Sequence, residues 1–269
     1  MSGEIYCRVV GPQGAAYGRV ETDTIRLLNA APWLEGRLTG VRLPRAGAHF
    51  LPPSEPRNIL ALANAYAGKD KIPPRRIRWF AKSAGAAATD GDEVEIPPAV
   101  TQLKTEAEVV IVVGRPLKRA TEAEAGAAIF GYAAGNELFG FPESFQELHG
   151  EDPTRAETML AAGLKLGDRF APFGPFIHRG REWRQRTRRL TITNPATGRQ
   201  FESVSDTAGL LYPPARILAE LSEVLTLEPG DVVFTGADKS FVVGAGDEVT
   251  VEFEGLGRLA NRLVAAPVR

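Results

Sequence analysis

The stretch 106–113 constrains this chain most. Glu106-Ala107-Glu108 runs without a break into Val109-Val110-Ile111-Val112-Val113 and stops at Gly114. It is the strongest strand signal in the 269 residues. It is apolar enough to be buried, yet carries two acidic side chains at its start. The surrounding sequence is heavily punctuated: 28 glycines and 20 prolines, where average usage gives roughly 32 of the two together. That excess implies many turns and many short strands rather than a helical bundle. Segments 5–10, 16–20, 24–28, 58–63, 79–81, 94–96, 190–193, 200–202, 232–234, 249–253 and 259–264 read as strands. Two helices are signalled. Thr121 with Glu124 forms a capping box. Pro214 opens a segment in which Ile217, Leu218, Leu221, Val224 and Leu225 make one apolar stripe. Residues 129–137 fit either a continuation of the first helix or a strand, and 140–163 read as an excursion, a mobile lid. Pro32, Gly36, Gly40 and Pro44 break up the segment after the third strand. Pro52, Pro53 and Pro56 mark a boundary, giving a small N-terminal β domain over 1–55 and a larger domain over 56–269. The alternative is a rigid loop inside one domain.

Charge and composition narrow the function classes. Basic residues number 32 and acidic residues 33, which argues against a chain-wide nucleic-acid or anionic-membrane binder. The six arginines of 179–189 with Trp183 read as an exposed face or a dimer surface. A single cysteine, Cys7, excludes an intramolecular disulfide. With only His49, His149 and His178 besides, a zinc site of Cys/His type has little material. A metal would have to be held by carboxylates, which selects Mg²⁺, Mn²⁺ or Ca²⁺. No signal peptide or bilayer-length apolar run is present, so the expectation is a soluble, cytoplasmic protein.

Two residues along a strand is a rise of about 6.6 Å, with both side chains on one face. Glu106 and Glu108 therefore project together, and burial makes two close carboxylates costly. A divalent cation relieves both the repulsion and the desolvation; the alternative is a wet strand end with each glutamate solvated. Gly131-Tyr132-Ala133-Ala134-Gly135-Asn136-Glu137 brings a third carboxylate after a run of small residues that permit close approach. Alone, Glu137 reads as a surface glutamate. Familiar alternatives fail. Gly255-Leu256-Gly257-Arg258-Leu259-Ala260 has dinucleotide-loop glycines, but the chain stops at Arg269 before the acidic residue such a site requires. Neither a phosphate loop nor a serine nucleophile elbow occurs.

In order, these motifs resemble the fumarylacetoacetate hydrolase superfamily. Its E-x-E strand is similar to Glu106-Ala107-Glu108, and its G-Y-x-x-x-N-D segment to Gly131-Tyr132 through Asn136-Glu137. Its K-x-x-D-x-x-x-P-x-G-P segment resembles Lys165 through Pro175. Its L-x-P-G-D-V-x-x-T-G segment resembles Leu227 through Gly236, and its closing run matches Gly246 through Val264. The resemblance implies a β-rich α+β fold, with a mixed β-roll or β-sandwich catalytic domain behind a small N-terminal β domain. It further implies a homodimer and bound Mg²⁺ or Mn²⁺, with Ca²⁺ as a stand-in in crystals and no organic cofactor. By position, Glu106, Glu108 and Glu137 would be ligands and Lys165 a catalytic residue facing substrate oxygens. The Thr235 hydroxyl and Gly236 N–H would meet a substrate carboxylate, and Tyr66 would touch substrate. The implied chemistry is C–C cleavage, hydrolytic or decarboxylative, in a small-molecule 2-oxo or β-dicarbonyl acid. The alternatives are isomerisation or hydration of a 2-hydroxydienoate, or a non-catalytic ligand-binding relative.

Three departures accompany the resemblance. The third ligand is Glu137 in place of Asp. The histidine three residues after the tyrosine is here Lys69, a catalytic candidate that ranks below a solvated basic face or a clamp for a second carboxylate. The S-A-R-D-x-Q segment is replaced by Phe139-Gly140-Phe141-Pro142-Glu143-Ser144. The metal site is expected to persist without the water-activating histidine.

Overall fold

A computed structural model describes residues 3–66, 76–98, 100–141 and 165–267. The first strands are β1 (Ile5–Gly11), β2 (Gly14–Val20), β3 (Thr24–Leu28), β4 (Leu38–Pro44), β5 (Phe50–Leu51), β6 (Ile59–Ala63) and β7 (Arg78–Lys82). Then come β8 (Ala87–Ala88), β9 (Glu93–Ile96), β10 (Gln102–Val113), β11 (Ile129–Phe141), β12 (Ala171–Pro172) and β13 (Ile177–His178). The last six are β14 (Thr187–Asn194), β15 (Arg199–Asp206), β16 (Val232–Phe234), β17 (Phe241–Val243), β18 (Glu248–Phe253) and β19 (Gly257–Ala265). Two α-helices occur among the described residues, α1 (Glu122–Ala127) and α2 (Pro214–Val224). The architecture is the expected strand-dominated α+β fold.

A 12-stranded sheet runs β4-β3-β2-β1-β13-β11-β10-β16-β6-β7, with β5 added on β1 and β17 on β10. A five-stranded sheet runs β15-β14-β18-β19-β9. The strand β10 is buried on both faces. Its odd positions, Leu103, Ala107, Val109, Ile111 and Val113, join a core with Leu190 and Ile192 of β14, Val249, Val251 and Phe253 of β18, and Ile217, Leu218 and Leu221 of α2. Its even positions, Val110 and Val112, join a second core with Phe173, Ile177 and Phe234. Glu106 and Glu108 share that even face, so the strand alternation places two carboxylates at the edge of a closed apolar core.

Local chemistry explains the elements. Thr121 and Glu124 make both bonds of the capping box that starts α1. In α2, Ile217, Leu218 and Leu221 are buried as the stripe predicts, but Val224 is 64% exposed because the helix ends there. The ambiguous segment 129–137 is strand, extended to Phe141. Its small residues serve that role: a Cβ on Gly131 would lie 2.6 Å from the His178 carbonyl oxygen, and one on Gly135 2.4 Å from Val110. A strand can thus be squeezed between β10 and β13 only where side chains are absent. The segment expected to be broken up after the third strand contains β4, which tolerates Gly40 and Pro44 because it is an edge strand ending at the proline. The glycines at 255 and 257 turn the β18–β19 hairpin. The lid expected at 140–163 lies, from residue 142 onward, outside the described residues.

Candidate metal centre

In the β10–β11 ladder, Glu106 stands directly opposite Glu137. Directly opposed residues have Cβ atoms about 4.5–5.5 Å apart, and like charges there repel. Glu108 adds a third charge two residues along. One oxygen from each of the three lies within 4.8 Å of the others. Glu108 and Glu137 are each only 1% exposed, and Glu106 is partly buried. Burial, then the Glu137 charge, pushes Glu106 up to about 7. Burial, then Glu106 and Glu137, pushes Glu108 well above the usual carboxylate range. The wet strand end is therefore excluded, and the repulsion expected from the spacing is present.

Two lysines answer part of it. Lys82 Nζ lies 2.5 Å from Glu137 Oε1 and Lys165 Nζ 3.1 Å from Oε2. Lys82 is fully buried, and donates to the carbonyls of Leu138 (2.8 Å), Lys165 (3.0 Å) and Phe170 (3.1 Å). Its contact with Glu137 is thus an ion pair beside three hydrogen bonds already made, and Oε1 accepts no hydrogen bond from the described residues. Lys165 sits between the rings of Phe139 (3.9 Å) and Phe80 (4.3 Å), whose faces attract its ammonium. Phe139, one of the residues that replace the family's S-A-R-D-x-Q segment, packs against this lysine.

On the other side, the loop 235–240 between β16 and β17 closes over Glu108. The Gly236 N–H donates to Glu108 Oε2 at 2.5 Å. Thr235 donates its hydroxyl (2.9 Å) and its N–H (3.1 Å) to the Val109 carbonyl. Both donors expected to meet a substrate carboxylate are therefore engaged within the protein, because the loop must satisfy its own buried groups. Gly236 has φ +82°, and a Cβ there would lie 3.1 Å from that of Ala65, so the turn requires glycine.

Of the three carboxylates, Glu106 borders a cleft of about 290 Å³, together with Leu62, Asn64, Tyr66, Lys165 and Lys239, while Glu108 and Glu137 lie buried behind it. Tyr66 is 5% exposed, and its buried hydroxyl has no hydrogen-bond partner among the described residues. Burial pushes it up to about 12, so it stays a donor at neutral pH. A larger hollow of about 700 Å³ lies elsewhere, lined by Ile96, Pro98, Val100, Ala265 and Pro267, and contains none of the predicted site residues. Among the described histidines, His49 and His178 stand outside the cleft. His149 and Lys69 lie outside the described residues.

Sequence reasoning missed Lys82 and Arg188. Within the arginine-rich stretch, Arg179 is exposed at the surface. Arg188 is buried instead, correcting the expectation of an exposed face or dimer surface at that position. Alternation could have found it, since Arg188, Leu190, Ile192 and Asn194 all point inward from β14. All donors in the cluster are oxygens, closely grouped and incompletely neutralised, which fits a hard divalent cation.

Comparison with known proteins follows the same lines. Residues 56–264 match the family profile described as fumarylacetoacetate (FAA) hydrolase C-terminal, and 6–53 match one described as Rv2993c-like, N-terminal. The chain is 30% identical over 193 residues to the 4-hydroxyphenylacetate degradation bifunctional isomerase/decarboxylase of Salmonella dublin, covering 71% of this chain and 42% of that protein. It is 25% identical to the oxaloacetate tautomerase YisK of Bacillus subtilis (strain 168), covering 78% of this chain and 71% of that one. The crystal structure of the 5-carboxymethyl-2-hydroxymuconate delta-isomerase from Mycobacterium smegmatis superimposes with a TM-score of 0.83 at 26% identity, covering 97% and 100% of the two chains. The chain thus spans less than half the length of the bifunctional relative.

Proposed function

The chain belongs to the fumarylacetoacetate hydrolase family, and from that premise we propose that it is a divalent-metal-dependent enzyme that forms the enolate of a 2-oxo acid. The reaction this site supports best is decarboxylation of an acid with a carboxyl group β to the keto carbon. The observation that carries the reading is the buried cluster of Glu106, Glu108 and Glu137, whose charge the surrounding lysines offset only in part. These three residues would hold Mg²⁺ or Mn²⁺. An ion held there would supply a Lewis acid that favours charge build-up on the oxygens of the acid.

The protein's own groups divide the remaining work. Glu137 is held on both oxygens by Lys82 and Lys165, which fixes its orientation. Lys165 also lines the cleft, where its caged ammonium offsets negative charge growing on a substrate oxygen. The Tyr66 hydroxyl, buried without a hydrogen-bond partner among the described residues, is a donor available to a substrate oxygen. Gly236 keeps Glu108 in place rather than meeting substrate. Decarboxylation needs no activated water, in keeping with a cleft that brings together no histidine among the described residues. A second reading, isomerisation through the same enolate, is supported by the isomerase and tautomerase names of the relatives. The same reading takes a homodimer as the working form and residues 1–55 as a front domain.

The test is to follow CO₂ release and enol absorbance with β-carboxylated and unsubstituted 2-oxo acids, with Mg²⁺, Mn²⁺ or EDTA. Metal-dependent turnover that falls at least about a hundredfold in Glu106→Ala or Glu108→Ala is expected, removal of the ion's Lewis-acid contribution costing several kcal/mol. Turnover unchanged by EDTA and by both substitutions would refute the metal role.

A further inference from the structure

The cleft exists because one edge of β10 is left open. On that edge β17 pairs with residues 103–105 and β16 with residues 110–112. Between them, the loop 235–240 swings away from the sheet. This opening brings Glu106 to the cleft, with Glu108 buried beneath the loop, but it strips backbone partners from the interval. The Val109 carbonyl is served by Thr235. The Ala107 carbonyl, between the two glutamates in a residue only 3% exposed, needs another donor.

Arg188 supplies it. From β14, on the opposite core face, Nη1 donates to the Ala107 carbonyl at 2.9 Å. Nε and Nη2 donate to the Ser205 hydroxyl at 3.0 and 2.8 Å, which anchors the guanidinium to β15. Nη2 also forms an ion pair with Asp238 of the displaced loop. The guanidinium carbon lies 5.3 Å from the Tyr66 ring centre. One planar, rigid group thus joins the metal-site strand, the loop that donates to Glu108, and the tyrosine of the cleft. A lysine's single point of charge cannot span those partners.

We propose that Arg188 is the positioning residue of the carboxylate cluster: it replaces the missing strand at Ala107 and ties down Asp238, so that Glu106, Glu108 and the Gly236 N–H keep their places. The proposal rests on the reading of the cluster as a metal site, and its test separates the two. Mn²⁺ binding to the full chain is measured by the loss of the free-ion electron paramagnetic resonance signal, for the unaltered protein, Arg188→Met, Arg188→Lys, Asp238→Asn and the Met/Asn double variant. Thermal unfolding in EDTA identifies the variants that fold.

Removing a partner that orients ligands costs roughly 10–100-fold in metal affinity. Arg188→Met is expected to weaken Mn²⁺ binding by about tenfold or more on that basis. Arg188→Lys is expected to recover part of the loss, and Asp238→Asn to lose less. The double variant should bind no worse than Arg188→Met, because both changes break one connection. Deletion of a cation by charge alone would tighten the binding of another cation. Unchanged or tighter binding in Arg188→Met would therefore overturn the proposal, as would simple addition of the two single effects. If Arg188→Met does not fold, Arg188→Lys and Asp238→Asn decide: weaker binding in both supports the proposal and unchanged binding in both overturns it. No Mn²⁺ binding by the unaltered protein overturns the metal reading, and this proposal with it.

Discussion

Two long antiparallel pairs in this molecule obey the same local rules and end in opposite chemistry. The β14–β15 pair runs in unbroken register from Thr187↔Asp206 to Asn194↔Arg199. Its outer strand faces solvent at most positions. There Arg189 and Glu202 form an ion pair at 2.5 Å with both side chains about half exposed. The β10–β11 pair keeps its register from Gln102↔Phe141 to Val112↔Gly131, shifts at Val113, and is closed on both faces. The ion pair at its Glu137, made with Lys82 of β7, has the same 2.5 Å separation and almost no solvent on either side chain. Water makes the first pair nearly neutral in energy, while its exclusion makes every unbalanced charge in the second costly. A site arises where the sheet buries carboxylates faster than it can neutralise them.

The largest effect expected from breaking that contrast is on stability. Lys82→Met leaves the Glu137 carboxylate buried and half-compensated, which should cost about 3–5 kcal/mol in urea unfolding of the metal-free protein. Saturating Mn²⁺ should return part of that loss, because the ion supplies the missing charge and binds only the folded chain. An equal loss with and without Mn²⁺ would mean that Lys82 acts through its three carbonyl bonds alone.

A smaller, graded effect comes from pH. Glu106 has its folded-state value raised to about 7, chiefly by burial. Below its ordinary carboxylate range it is protonated whether the chain is folded or not. Between that range and about pH 7 the folded state holds the proton and the unfolded state does not, so metal-free stability falls as pH rises through this window. Mn²⁺ affinity should move the other way, rising as pH passes through 7, since the ion competes with that proton. Parallel unfolding and Mn²⁺ titrations from pH 5 to pH 8 read both signs.

The smallest effect belongs to the exposed pair. Arg189→Ala should change stability by less than about 1 kcal/mol, and less still at high salt. A loss as large as that of Lys82→Met would mean that burial does not set the difference between the two pairs.

What the sequence disclosed and what it concealed follow the same division. The alternation of Glu106 and Glu108 into an apolar run, the cap at Thr121 and the stripe of α2 are local patterns, and all are legible within a few residues. The identity of 129–141 as strand was not, because Gly131, Ala133, Ala134 and Gly135 carry little preference of their own and take their conformation from β10 and β13. Lys82 was hidden for another reason, and for Arg188 the alternation of β14 marks an inward side chain but not what it meets. Their partners are backbone carbonyls of Leu138, Phe170 and Ala107, far away in the chain, and no periodicity records such a partner. Thr235 and Gly236 were expected to turn their donors outward to a substrate carboxylate. Only the loop geometry shows their donors turned toward Val109 and Glu108.

The central claim is that Glu106, Glu108 and Glu137 form one divalent-cation site. Anomalous diffraction from crystals of the protein equilibrated with Mn²⁺ addresses it most directly. The expected result is a single manganese peak bonded to one oxygen from each of the three glutamates, and its disappearance in Glu108→Ala. Crystals at saturating Mn²⁺ with no peak among these carboxylates, or with manganese only at other residues, would contradict it.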